Sequence, residues 1–286
     1  MRVNSISNLV RKFLRNVRSS KHFSFTRVHG EPGISPSRVF STWLEALESC
    51  GSIGYASDII LERTINSTLQ VLDGKKEYIR DSVAFDGIQY DYPVLFYISN
   101  LLYLNKKPLT VIDFGGALGS TFLMISKIYP DINCFDWNIV EQAQYVDAGR
   151  NLFGNIGSLS FWNSLSDLKN KQPSLVLFSS VLMYLEDPKQ ILQQAMMMFP
   201  QSSILIDRTI LHSHPCATSS LSTQVVSKEI FGDEVSYPMW IFSKHDLLEL
   251  FQEYEITEFP SNVDPSGLDY CFKGFYIQPR SSDLTS

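Results

Sequence analysis

The sequence predicts an α/β fold built on a mostly parallel β-sheet whose strands are joined by helices. Short apolar runs alternate with segments of helical periodicity, a glycine-rich turn follows the first of these runs, and two alternating segments close the chain. The predicted strands cover residues 111–114, 133–140, 159–162, 175–178, 203–209, 254–259 and 271–278. The predicted helices between these strands cover residues 118–129, 189–199 and 244–253.

The first apolar run leads directly into a glycine-rich turn and then into a helix. Gly115, Gly116 and Gly119 allow the backbone to turn sharply and to approach a ligand closely, which a Cβ atom would obstruct. The start of the following helix would offer free backbone N–H groups to that ligand. A dinucleotide fingerprint requires G-x-G-x-x-G, but Ala117 and Ser120 stand at its second and third glycines. A tight turn that binds no ligand is the alternative interpretation.

The charge distribution argues against general affinity for nucleic acids. The 286 residues carry 24 Lys and Arg and 30 Asp and Glu, which gives a net charge of −6. Residues 1–30 contain basic but no acidic side chains, so the remainder is more acidic than the net charge suggests. Nucleic-acid affinity depends on neutralising phosphates, and we therefore expect no nucleic-acid partner. The four cysteines lie far apart without a CxxC pair, which predicts neither a zinc site nor a disulfide framework.

The N-terminal 20 residues place apolar side chains at helical spacing with basic side chains between them. Such a helix can lie on an anionic membrane surface, and the alternative is a helix packed on its own domain or on a partner. With no apolar run long enough to cross a bilayer, we expect a cytoplasmic protein, at most peripheral at the inner face of the membrane. The predicted segments are a basic leader (1–37), an N-terminal helical cap (38–108), a ligand-binding domain (109–279) and a disordered tail (280–286).

Several motifs together resemble one known family. The segment Asp113-Phe-Gly-Gly-Ala-Leu-Gly119 is similar to motif I (D/E-x-G-x-G-x-G) of class I S-adenosylmethionine-dependent methyltransferases, with alanine in place of one glycine. The segment Ser180-Val-Leu-Met-Tyr-Leu-Glu-Asp-Pro188 resembles the motif after their fourth strand, with Tyr184 where histidine is common. Together with residues 40–47, 137–142 and 237–242, these motifs resemble a bacterial family of methyltransferases often encoded among surface-polysaccharide biosynthesis genes. The resemblance spans about residues 38–279.

The resemblance implies a Rossmann-like class I methyltransferase fold, with a seven-stranded, mostly parallel sheet, an antiparallel last strand and a site for S-adenosylmethionine. In this family the carboxylate matching Asp113 lies near the amino-acid half of the cofactor. The acidic residue matching Glu141 accepts hydrogen bonds from both ribose hydroxyls, a task that suits a carboxylate because it accepts without donating. An exposed loop glutamate is the alternative for Glu141. The cofactor-binding residues that follow from the resemblance are Asp113, Gly115, Gly116, Ala117, Gly119, Glu141, Asn163, Ser179 and Ser180.

A base would assist methyl transfer to an oxygen acceptor. Asp207, His212 and His214 lie at and beyond the carboxyl end of the fifth predicted strand, where such sheets bind ligands. Two histidines at this spacing also suit a metal, but no third ligand of suitable spacing is evident, so no metal is predicted. Histidines of a surface loop are the remaining alternative. The aromatic residues predicted to touch cofactor or acceptor are Tyr90, Tyr92, Tyr184, Tyr237 and Trp240. Ordinary aromatic anchors or a hydrophobic lid would explain the same side chains.

These features predict an S-adenosylmethionine-dependent methyltransferase that acts on a small molecule or on a sugar or glycan hydroxyl in cell-surface polysaccharide biosynthesis. One alternative is a non-catalytic methyltransferase-like scaffold, which Ala117 and Tyr184 favour because the family prefers glycine and histidine there. The other alternative is an NAD-dependent sugar oxidoreductase or epimerase, which the missing dinucleotide fingerprint disfavours.

Overall fold

The computed structural model describes residues 38–50, 58–104, 108–154, 156–226, 235–261 and 269–280. The leader predicted for residues 1–37 and nearly all of the tail predicted for 280–286 lie outside the described residues. In the part of the chain that is described, no helix is long and apolar enough to cross a membrane.

The described part of the chain contains seven α-helices and eleven strands. The helices are α1 (Trp43–Ser49), α2 (Asp58–Leu72), α3 (Tyr92–Leu104), α4 (Ser120–Ile128), α5 (Ala143–Phe153), α6 (Pro188–Met198) and α7 (Lys244–Leu248). The strands are β1 (Tyr78–Arg80), β2 (Val83–Phe85), β3 (Leu109–Phe114), β4 (Phe135–Val140), β5 (Leu159–Trp162), β6 (Leu175–Ser179), β7 (Ser203–His212), β8 (Ser220–Val226), β9 (Val235–Ile241), β10 (Tyr254–Pro260) and β11 (Tyr270–Pro279). Each of the seven predicted strands overlaps an observed one.

One sheet contains seven of these strands, in the order β5-β4-β3-β6-β7-β11-β10. Strands β3, β4 and β5 pair in parallel, as do β6 and β7, whereas β11 pairs antiparallel with both β7 and β10. The side chains of β6 are buried almost without interruption, which is typical of a parallel strand covered on both faces. The predicted seven-stranded sheet, mostly parallel with an antiparallel last strand, is confirmed.

The chain divides into two compact units. The described residues of the first unit lie between 58 and 168 and contain α2–α5 and β1–β5. Those of the second unit are residues 38–50 and the described residues from 169 onward, which contain α1, α6, α7 and β6–β11. The predicted domain boundaries after residues 37, 108 and 279 differ from this division and stay a prediction.

An aromatic cluster fixes β4 in the core of the first unit. Trp137 is fully buried, and its ring lies 5.8 Å from that of Phe122 on α4 and 6.0 Å from that of Phe135. In the same unit, Phe153 of α5 stacks on Phe161 of β5 at 5.9 Å. Because large aromatic side chains contribute most to core packing, these contacts anchor β4, the strand that Glu141 directly follows.

A β-hairpin interrupts the predicted helical cap. Strands β1 and β2 pair antiparallel around Asp81 and Ser82, which both have positive φ, as a two-residue hairpin turn of the primed type requires. The sequence predicts only helices and a loop for this region. The prediction missed the hairpin because its strands have three residues each, too few to show an alternating pattern.

Strand β7 is longer than predicted and places one histidine differently. The sequence predicts a strand ending at residue 209, followed by a loop that contains His212 and His214. The strand continues to His212 because β11 resumes pairing with it after an irregularity between Ile206 and Thr209, up to Tyr270 opposite His212. The prediction that His212 lies in a loop is therefore wrong, whereas His214 follows the strand.

The aromatic segment near residue 240 is a strand. Tyr237 and Trp240, predicted to touch cofactor or acceptor or else to form a hydrophobic lid, lie on β9, which pairs antiparallel with β8. A small core joins this hairpin to α1 through Phe40, Ala46 and Leu221. The segment is thus part of the folded body of the second unit.

Candidate functional site

The glycine-rich turn adopts the left-handed backbone that its sequence allows. The φ angles of Gly115, Ala117 and Gly119 are +72°, +49° and +82°. The N–H of Gly115 donates to the carbonyl of Val140 at 2.9 Å, which ties the turn to the end of β4. For alanine this conformation costs about 1 kcal/mol, which explains why the family that the sequence resembles prefers glycine at this position.

Asp113 lies buried under the turn and makes Gly116 necessary. Its carboxylate Oδ2 accepts a hydrogen bond from the indole Nε1 of Trp137 at 3.1 Å, and the residue is 1% exposed. A Cβ atom added at Gly116 would lie 2.6 Å from Asp113 Cγ and 2.7 Å from Oδ2. Since real contacts do not reach this distance, the carboxylate occupies the space that any larger residue at position 116 would need.

Glu141 lies at the carboxyl end of β4, beside the same turn. It is 8% exposed, and its two carboxylate oxygens accept from the N–H of Ala117 at 3.2 Å and from the N–H of Gln142 at 2.8 Å. Burial raises the pKa of Glu141 above its ordinary value of 4.5, although the two N–H donors oppose the shift. The exposed loop glutamate considered as an alternative is therefore excluded.

The raised pKa of Glu141 predicts a pH-dependent effect of Glu141→Gln on stability. The folded protein retains a proton on Glu141 at pH values where the unfolded chain has lost it, so the stability contribution of this group is complete below pH 4.5 and is lost as the pH rises through the raised pKa. The glutamine variant has no such loss. We therefore expect the free energy of unfolding of Glu141→Gln minus that of wild type to be larger, that is, more in favour of the variant's stability, at pH 7 than at pH 4 in urea titrations.

Asp136→Asn is the matched control for this prediction, because it also replaces a carboxylate with an amide, at the amino end of the strand that Glu141 follows. An unfolding free-energy difference between Glu141→Gln and wild type that stays constant from pH 4 to pH 7 would contradict the raised pKa.

A polar network that the sequence did not reveal joins Glu141 to the β1–β2 hairpin. Tyr145 on α5 is 2% exposed and hydrogen-bonded to Thr64 on α2. The Thr64 hydroxyl is also 2.7 Å from the hydroxyl of Ser82 in the hairpin turn. Burial is the main cause that raises the pKa of Tyr145 to about 12, and the negative charge of Glu141 adds to it. Tyr145 therefore stays protonated as a neutral hydrogen-bonding group next to the carboxylate.

The other residues of the first unit predicted to bind a ligand are less enclosed. Asn163 is exposed and directly follows Trp162, which pairs with Val140. The rings of Tyr90 and Tyr92 lie 6.3 Å apart, and Tyr92 is 48% exposed. In this unit the structure thus brings together Asp113, Glu141 and the glycine-rich turn, with Asn163 at the end of the neighbouring strand.

Asp207 is the centre of the predicted site residues in the second unit. It is fully buried, and its Oδ2 accepts from the Ser179 hydroxyl at 3.2 Å and lies 3.5 Å from Arg208 Nε. The N–H of Ser180 donates to the Asp207 carbonyl at 2.9 Å. Ser180 and Arg208 have φ angles of +56° and +49°, a left-handed backbone that side chains rarely adopt and that is typical of functional sites.

The two histidines lie beyond Asp207 on the same part of the chain. His212 Nε2 is 2.9 Å from the Ser220 hydroxyl, and the ring lies 5.6 Å from that of Tyr270. Burial lowers the pKa of His212 below its ordinary value of 6.5, so the ring is neutral at pH 7. His214 is exposed, and its Nδ1 accepts from the N–H of Cys216 at 3.2 Å. Among the described residues, no three His, Cys, Asp or Glu side chains form a metal-binding group.

The predicted substrate-binding aromatic residues of the second unit have partners within that unit. Tyr184 donates its hydroxyl to Gln224 Oε1 at 2.7 Å, and its ring meets that of Tyr237 edge-on at 5.2 Å. Trp240 donates its indole N–H to the carbonyl of Leu185 at 3.1 Å and stacks on Trp43 at 6.5 Å. These contacts explain the positions of Tyr184 and Trp240 without a ligand, so an acceptor would have to use their remaining surfaces.

Known proteins resemble this chain in fold only distantly. No protein-family model matches the sequence, and no curated protein matches it. The N-terminal domain of EvdMO1, solved in the presence of SAH and D-fucose, is a similar structure, with 13% identity, a TM-score of 0.47, and coverage of 80% of this chain and 100% of that chain. The glycopeptide N-methyltransferase MtfA is 8% identical over 65% of this chain and 89% of its own, with a TM-score of 0.45.

A third similar structure, the mitomycin 7-O-methyltransferase MmcR, is 14% identical, with a TM-score of 0.39 and coverage of 65% of this chain and 54% of that chain. All three TM-scores are below 0.5 and all three identities are below 15%. The assignment of an α/β fold with a seven-stranded, mostly parallel sheet therefore rests on the strand order of the sheet itself.

Proposed function

We propose that the protein is an S-adenosylmethionine-dependent methyltransferase. The observation that carries the proposal is the pair of buried carboxylates, Asp113 and Glu141, at the ends of two neighbouring parallel strands on either side of one glycine-rich turn. Burying two carboxylates is unfavourable unless donors satisfy them. Trp137 and two backbone N–H groups already donate to them, and because a carboxylate can accept about four hydrogen bonds, a ligand with a ribose diol and an ammonium group can supply further donors to both.

Each carboxylate has a separate role in this proposal. Glu141 accepts hydrogen bonds from the ribose hydroxyls, and its two backbone donors hold the carboxylate in place for them. Asp113 faces the amino-acid half of the cofactor, with the indole of Trp137 fixing its orientation. Gly115, Gly116, Ala117 and Gly119 pass under the ligand, and Asn163, Ser179 and Ser180 complete the set that the resemblance indicates. The bound cofactor supplies an activated methyl group on its sulfonium.

The chain's contribution to methyl transfer is alignment of the acceptor and removal of its proton. Of the three predicted bases, His212 is the best suited, because its ring is neutral at pH 7 and Ser220 fixes it. Asp207 is engaged by Ser179 and Arg208, and His214 is exposed.

We propose a small molecule or a sugar or glycan hydroxyl as acceptor, with a role in cell-surface polysaccharide synthesis. The resemblance of the sequence supports this acceptor class. Tyr90, Tyr92, Tyr184, Tyr237 and Trp240 are the proposed acceptor contacts, since aromatic rings stack well on sugar rings. A cytoplasmic location, with or without peripheral membrane contact, fits nucleotide-linked or lipid-linked sugars.

Calorimetric titration of the purified protein tests the cofactor assignment. We expect S-adenosylmethionine and S-adenosylhomocysteine to bind with micromolar affinity, about −8 kcal/mol, and NAD not to bind. Binding of NAD alone would favour the oxidoreductase alternative, and binding of none of the three would favour the scaffold alternative.

A further inference from the structure

Arg80, the last residue of β1, has a buried donor without a partner. Its Nη1 donates to Gln89 Oε1 at 3.0 Å, which fixes the guanidinium. Its Nε is buried, and no hydrogen-bond acceptor within the described residues reaches it. Buried donors are nearly always satisfied, and leaving one unsatisfied costs about 1–3 kcal/mol. A missing acceptor at this position is therefore expected.

The hairpin itself does not neutralise the guanidinium. Within the described residues, no carboxylate forms an ion pair with Arg80, whereas two nearby carboxylates have lysine partners. Asp86 pairs with Lys76 at 2.7 Å, and Glu77 pairs with Lys127. Because an arginine side chain always carries its charge, the acceptor that fits this position is an anion.

Two sets of contacts connect the segments that flank Arg80 and Gln89 to the surroundings of the glycine-rich turn. Two residues after Arg80, the hydroxyl of Ser82 lies within hydrogen-bond distance of Thr64. Thr64 is in turn hydrogen-bonded to Tyr145, which lies next to Glu141. Two residues after Gln89, the N–H of Asp91 donates to the Sδ atom of Met124 on α4 at 3.4 Å. Arg80 thus belongs to a hairpin that is linked through Ser82 to the Glu141 network, and its partner Gln89 precedes a segment that contacts the helix starting at the turn.

We propose that Arg80 binds the carboxylate at the amino-acid end of the ligand that the glycine-rich turn receives. This inference rests on the proposed function, because S-adenosylmethionine carries an ammonium and a carboxylate at that end. Asp113 suits the ammonium and Arg80 the carboxylate, so the two residues together recognise the zwitterion. A guanidinium binds a carboxylate through two parallel hydrogen bonds, and Nε is one of the donors of that geometry.

The test compares S-adenosylmethionine with its decarboxylated analogue, which differs only by the carboxylate. Wild type is expected to bind S-adenosylmethionine more tightly than the analogue. In Arg80→Met we expect the affinity for S-adenosylmethionine to fall about tenfold, as for the loss of a charged hydrogen bond, and the affinity for the analogue to stay unchanged. Calorimetry on the full chain measures all four affinities.

Lys76→Met is the matched control, because it removes a positive charge before the same hairpin from a lysine already paired with Asp86. We expect it to change neither affinity. Arg80→Lys keeps the charge and loses the planar donors, so it should lower the affinity for S-adenosylmethionine in part and leave that for the analogue unchanged. This variant replaces Arg80→Met in the test if Arg80→Met does not fold.

Equal losses for both ligands in the Arg80 variants, or no loss for either, would overturn the role of Arg80 and leave the proposed function intact. A wild-type protein that binds S-adenosylmethionine and the analogue equally would do the same. A wild-type protein that binds neither would overturn the proposed function and this inference together.

Discussion

Gly116→Ala is expected to weaken S-adenosylmethionine binding about a hundredfold. The new methyl group would lie 2.6–2.7 Å from the Asp113 carboxylate, so the carboxylate must leave its position and lose the 3.1 Å hydrogen bond from Trp137. The loss of one charged hydrogen bond to the ligand and the distortion of the turn together correspond to about 2–3 kcal/mol. Overpacking should also lower the free energy of unfolding by about 1–3 kcal/mol. Calorimetry and urea unfolding measure the two effects.

Gly157→Ala is the matched control for this variant. Gly157 has ordinary φ, and nothing lies within 4 Å of an added Cβ atom, so both binding and stability should stay within about 0.5 kcal/mol of wild type. If Gly116→Ala binds S-adenosylmethionine as tightly as Gly157→Ala does, Asp113 is not a ligand contact.

Asp207→Ala should lower the free energy of unfolding by about 3–5 kcal/mol. Asp207 is 0% exposed and its carboxylate lies 3.5 Å from the guanidinium of Arg208, whose side chain is only 15% exposed. Removal of the carboxylate takes away the acidic partner of a largely buried guanidinium, and Ser179 loses its acceptor. Urea unfolding of the purified variant measures the change.

Asp246→Ala is the control for Asp207→Ala, because Asp246 is exposed and the hydrogen bonds that its carboxylate makes, with Ser219 and His245, are exposed as well. We expect this variant to lose no more than about 1 kcal/mol. A similarly small loss in Asp207→Ala would mean that the buried pair is not structural, and it would make a catalytic role for Asp207 more attractive.

The sheet could be predicted from the sequence because its signals are local. The strand that ends at Phe114 is a short apolar run, and the cluster of glycines that follows it is typical of a tight turn after a strand. Strand β5 matches its predicted bounds of 159–162 for the same reason. The position of Glu141 follows equally from its place after an apolar strand.

The features that could not be predicted depend on contacts between distant segments. Strand β7 reaches His212 because Tyr270 of β11 pairs with that residue, and no local pattern encodes a partner so far along the chain. The link from Ser82 through Thr64 to Tyr145 joins a hairpin turn and two helices. Nothing in the sequence distinguishes Arg80 from other charged residues, because the burial of its Nε depends on how the chain folds.

A crystal structure of the protein with S-adenosylhomocysteine tests the central claim most directly. The account predicts the ribose hydroxyls within hydrogen-bond distance of the Glu141 carboxylate, the amino-acid end beside Asp113, and the backbone of Gly115, Gly116 and Ala117 under the ligand. Ligand density away from this turn, or none at a saturating concentration, would contradict it.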